Sequence, residues 1–120
     1  MGLNVYLTRK SWLSYDQGKT YTEQEEDIYD ANITHNLNKM AGEAEIYDWL
    51  WRPEEHGITT ASQLIEPLSV GFEELKSKPE HYAQFNSPNG WGMYDHFVSF
   101  VEKYLEACIE NPEATITASR

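Results

Sequence analysis

The amino-acid sequence predicts an α+β fold: a small antiparallel sheet of two N-terminal strands plus a short C-terminal strand, with three helices packed on one face. Three observations predict it. Apolar and polar residues alternate at the start of the chain, the period of a half-buried strand. In three stretches between residues 36 and 110 the apolar residues instead recur every three or four positions, the period of one helix face. A short β-branched run closes the chain, so strands and helices are segregated rather than alternating.

Leu3, Val5 and Leu7 alternate with Asn4, Tyr6 and Thr8 in the first strand. Asp16-Gln17-Gly18 is a turn signal. Residues 21–26 are polar and acidic, an exposed strand arm or a loop. Residues 27–33 alternate again, with Tyr29, Ala31 and Ile33 on one face, and form a second strand antiparallel to the first. The first helix is expected over 36–52, its stripe being Leu37, Met40, Ala41, Ala44, Tyr47 and Trp51. Thr34 or Asn36 caps it, and Pro53 ends it by pushing Arg52 out of helical geometry. Thr60-Ala61-Ser62-Gln63 has capping-box spacing and opens the second helix, with Leu64, Leu68, Phe72 and Leu75 on one side. Pro67 predicts a kink or restart within it. After the Ser87-Pro88-Asn89-Gly90 turn, the third helix is expected over 91–110. Its stripe is the longest in the chain: Tyr94, Phe97, Val98, Val101, Tyr104, Leu105 and Cys108. Residues 115–118 are the terminal strand.

A length of 120 residues suits one domain, 1–120, able to bury a core without metal or disulfide staples. The single cysteine cannot form an internal disulfide, and no secretory leader pattern or membrane-spanning run is present, so the expected home is the cytoplasm. A net charge of −11 repels nucleic-acid backbone and anionic lipid, which excludes direct nucleic-acid binding and membrane association. The same charge favours solubility, or a basic partner.

The densest group of neutral hydrogen-bonding side chains lies where the second strand meets the first helix: Asn32, Thr34, His35 and Asn36. Such residues can hold a polar ligand, or they can satisfy backbone groups at the join. Trp51 and Trp91 offer indole faces for stacking, and Arg52 a fork for an anion. Asn86 and Asn89 belong to the loop that would bring Trp91 to a helix start. Core packing, and for Arg52 neutralisation of nearby Glu, are the alternatives. The four histidines have no metal-ligand spacing, and no cofactor motif occurs. Cys108 lies on an apolar stripe and reads as packing.

The segments Asn32-Ile33-Thr34-His35-Asn36-Leu37, Leu50-Trp51-Arg52-Pro53-Glu54-Glu55 and Asn89-Gly90-Trp91-Gly92 resemble a family of small phage and bacterial proteins without an assigned activity. The resemblance runs from Ile28 onward and implies a phage or mobile-element accessory context. The resulting expectation is a non-enzymatic protein that binds a small polar or aromatic ligand at the strand-to-helix junction. Two alternatives stay open. One is an acidic inhibitor or nucleic-acid mimic docking on a basic host protein, through Glu23, Glu25, Glu26, Asp27 and Asp30. The other is a small hydrolase using His35.

Overall fold

Alternation builds the sheet. The computed structural model describes the backbone of residues 2–14 and 21–120 and the side chains of residues 2–10 and 25–120; the Asp16-Gln17-Gly18 turn signal lies outside the described residues. In β1 (Gly2–Ser14) Leu3, Val5 and Leu7 are fully buried, while Asn4, Tyr6 and Thr8 between them stay partly open. β2 (Tyr21–Thr34) pairs antiparallel with β1, setting Leu3 opposite Ile33, Val5 opposite Ala31 and Leu7 opposite Tyr29. The apolar members of both strands therefore share one face. β3 (Thr115–Ser119) pairs antiparallel with the other side of β1 and adds Ile116, opposite Leu7, to that face. The strand order is β2-β1-β3.

The register shifts at one place. Leu7 faces Tyr29 but Thr8 faces Asp27, so Ile28 is the extra residue of a bulge. The bulge falls where β3 begins, because Thr8 opposite Thr115 is the outermost pair between β1 and β3. Beyond it β1 and β2 continue as a two-stranded arm. Residues 21–26 are thus strand, with Arg9 Nε 3.0 Å from the Glu26 carboxylate across the ladder.

The helical layer covers the apolar face and departs from three simple helices. Residues 35–52 form a 3₁₀ turn (His35–Leu37), α1 (Asn38–Glu43) and α2 (Tyr47–Trp51) in place of one helix. The break is at Glu45, a non-glycine residue at φ 63°, and the Ile46 N–H closes α1 on the Ala41 carbonyl at 2.9 Å. It turns Ile46 into the core beside Gly71 of α3 (Ser62–Ser77). A side chain at residue 71 would collide with Ile46, so the notch that receives Ile46 exists because residue 71 is glycine. The apolar period through 36–52 conceals this break, since the packing of Ile46 on Gly71 involves another helix.

Gln63 accepts from the N–H groups of Thr59 and Thr60 at 2.7 and 3.1 Å, the reach-back half of a capping box. The expected restart at Pro67 does not occur, and α3 is one unbroken helix. Pro67 is inside α3, where its missing N–H forgoes the bond to the Gln63 carbonyl without ending the helix. A short α4 (Pro79–Ala83) follows and seats the buried Tyr82, whose hydroxyl donates to Glu74 at 2.9 Å. The last helix, α5 (Tyr94–Glu110), starts three residues later than its sequence suggests. Gly92 at φ 109° and an extended Met93 exclude helical geometry before Tyr94. Its buried residues include Phe97, Phe100, Val101, Tyr104, Leu105 and Cys108. Burial pushes the Cys108 thiol up to about 12, which leaves almost no thiolate near neutrality and makes Cys108 a packing residue. Among the described residues no helix is long and apolar enough to cross a membrane.

Candidate functional site

The loop before α5 is built by asparagines. Asn86 accepts from the Tyr94 N–H at 2.7 Å and so occupies one of the free donors of the first turn of α5. Asn89 accepts from the Trp91 N–H at 2.9 Å and from the Ser87 hydroxyl at 2.6 Å, an Asx-type turn. The Ser87 N–H closes the loop on the Gly92 carbonyl at 3.2 Å.

Asn36 then ties this loop to the strand-to-helix junction. Its amide donates to the Trp91 carbonyl at 3.0 Å. Gly92 packs so closely here that a Cβ would sit 3.0 Å from the Asn36 Cβ and 3.4 Å from the Thr34 methyl group. Thr34 accepts from the Asn36 N–H at 3.4 Å and caps the 3₁₀ turn. Removing the Asn36 amide should cost about 0.5–1.5 kcal/mol, the net worth of one ordinary hydrogen bond. Asn36→Ala is therefore expected to leave the core intact and to accelerate amide exchange at residues 90–92. Unchanged exchange there would show that Gly92 packing alone holds the loop.

The stapled loop presents Trp91, 68% exposed, between two clefts. One, of about 470 Å³, has an amide-rich wall: Asn4, Asn32, Asn36 and Asn89, with Thr34 beside them. Asn4 and Asn32 are direct partners across β1 and β2. The other, of about 590 Å³, runs between β2 and α5, with Ala31, Ile33, Leu37 and Phe100 supplying apolar surface and His96, Ser99 and Lys103 its helical side. Trp91, Asn32, Ile33 and Thr34 border both. Neutral amides beside an indole can hydrogen-bond and stack a ligand without demanding a charge on it.

The other candidates lie elsewhere. Trp51 is fully buried, stacks on Tyr47 at 5.2 Å between ring centroids, and offers no face to a ligand. Its indole N–H donates to His35 Nδ1 at 3.1 Å. An indole nitrogen can only donate, so His35 Nδ1 carries the lone pair and its proton lies on Nε2. His35 neighbours Asn36 and is at the same end as Trp91, but its ring is committed to Trp51 and joins neither cleft wall. Arg52 is bound to Glu55 at 2.7 Å. Arg120 reaches the Trp51 carbonyl at 2.7 Å and Glu54 at 2.6 Å, and this bond holds the Glu54 carboxyl below the usual range. Arg52, Glu54, Glu55 and Arg120 lie at and just beyond the end of α2 and line neither cleft.

Of the expected positions, the structure thus brings Asn32, Thr34, Asn36, Asn89 and Trp91 together, with Asn86 as support. It adds Asn4, Phe100, Ser99, His96 and Lys103. Asn4 was findable as the outward neighbour of Leu3 and Val5 in a strand paired antiparallel to the second. The α5 residues repeat at helical spacing, but which side of α5 overlies β2 depends on docking. Among the described residues no group of three or more His, Cys, Asp or Glu side chains is placed to hold a metal ion. No known protein family and no solved structure matches the chain.

Proposed function

We propose that this chain is a non-enzymatic binding protein, of phage or mobile-element accessory type, that holds a small polar or aromatic ligand against Trp91 at the strand-to-helix junction. The observation that carries this reading is a large apolar ring left exposed on a loop whose backbone is fixed on both sides of it. Holding an indole in place before binding reduces the ordering cost of binding. The amides of Asn4, Asn32 and Asn36 supply the polar contacts. The accessory context rests on the motif resemblance. The Trp51 bond supports this reading over a hydrolase using His35, because it occupies the imidazole nitrogen that an orienting carboxylate holds in such enzymes.

The test compares wild type with Trp91→Ala against a panel of indole, phenol and purine-base probes. Loss of one stacking surface is worth about 1–3 kcal/mol. Trp91→Ala should weaken any probe that binds by about tenfold or more while its melting temperature stays at the wild-type value. Equal affinity of the two proteins would place binding elsewhere.

A further inference from the structure

We propose that the cleft between β2 and α5 takes an extended segment of a partner protein, alternating apolar with basic residues, as a fourth strand on the free edge of β2. The proposal rests on the reading of Trp91 above, because Trp91 and Gly92 close one end of this cleft.

The two outer edges of the sheet differ. The edge of β3 is short and partly covered, with Thr60 bridged to Thr115 and the Ile116 N–H bonded to the Thr59 carbonyl at 3.0 Å. β2 is longer, and among the described residues it pairs with β1 alone. Along residues 29–34 this edge is one wall of the cleft, and α5 is the other. A strand laid beside β2 would bond its backbone to the unpaired β2 groups and send every second side chain toward Ala31, Ile33, Leu37 and Phe100. The six positions from 29 to 34 span about 20 Å at strand rise, enough for specific addition.

Charge selects the occupant. Along 29–34 the intervening side chains of an added strand would lie on the outer sheet face beside Asp30, and β2 continues that face with Asp27 and Glu25, opposite Thr8 and Lys10, while Glu26 is paired with Arg9 across the ladder. A basic partner complements this row. A second copy of the chain, adding its own β2, would set like charges side by side, the arrangement that protects natural edge strands from self-pairing. Nucleic acid is repelled by the net charge of −11.

The experiment uses the full chain and capped synthetic peptides alternating Val with Lys, about eight residues long to cover the edge. Controls have the same composition in two blocks, or Glu in place of Lys. Two further versions are N-methylated, one at the Val nitrogens and one at the Lys nitrogens, since only one set of a strand's N–H groups faces its neighbour. The alternating Lys peptide is expected to slow hydrogen exchange at alternate amides of residues 29–34. One N-methylated version should bind about tenfold or more weakly, and the other like the parent. Equal binding of both N-methylated versions, of the blocked peptide, or of the Glu peptide would overturn the proposal. So would protection of the same amides without peptide in a dimeric sample, which would make a second copy the occupant. If small aromatic probes bind at Trp91 and no peptide binds, strand addition alone is overturned. If neither binds, the reading of Trp91 falls with it.

Discussion

Val101→Asp is expected to abolish the cooperative thermal transition of this chain. Val101 is fully buried on α5, among Phe97, Tyr104 and Leu105. A carboxylate there loses its hydration and finds an apolar environment, so it either stays charged at a cost of several kcal/mol or takes up a proton. Either outcome consumes much of the roughly 5–15 kcal/mol that stabilises a typical domain. The control lies on the same helix. Ile109 is 54% exposed, and Ile109→Lys should change stability by no more than about 0.5 kcal/mol. A Val101→Asp melt close to wild type would mean that α5 does not bury this stripe.

The second large effect is expected at Gly71, where two terms oppose each other. Alanine is the better helix former by about 1 kcal/mol. Its methyl group, however, would collide with the buried Ile46 side chain. Overpacking of this kind typically costs about 1–3 kcal/mol. Crowding against a fully packed neighbour should win, and Gly71→Ala should lower the melting temperature. Gly42→Ala isolates the first term, because nothing lies within 4 Å of a Cβ at that position, and it should stabilise by about 0.5–1 kcal/mol. Adding Ile46→Ala to Gly71→Ala should cost less than the two single losses together, the sign of direct contact in a double-mutant cycle. Additive losses would show that Ile46 does not occupy the notch.

The same two residues explain what was legible beforehand. Strand alternation in Leu3, Val5 and Leu7 and in Tyr29, Ala31 and Ile33 places both strands and their shared face, because period two admits one solution when one side is buried. The stripe of α5 was legible for the same kind of reason. The break at Glu45 was not. Local pattern favours one long helix through 36–52, whereas the chain turns at Glu45 and packs Ile46 against Gly71 of a different element. Trp51 shows the limit at the site. A buried indole needs an acceptor, but only the fold says that the acceptor is His35, so two residues attractive as ligand contacts become a structural pair. Trp91 is the converse. Its turn signal was readable, its exposure was not, and the late start of α5 at Tyr94 leaves it on a loop rather than a helix.

A ligand held against Trp91 should touch the amides of Asn4, Asn32 and Asn36 beside it. Chemical-shift mapping of the isotopically labelled full chain, titrated with the indole, phenol and purine-base probes, tests it most directly. Saturable shifts should concentrate on the Trp91 indole N–H and on the side-chain amides of Asn4, Asn32 and Asn36, with the Trp51 indole unmoved. Saturable shifts centred away from Trp91, or none with any probe, would contradict it.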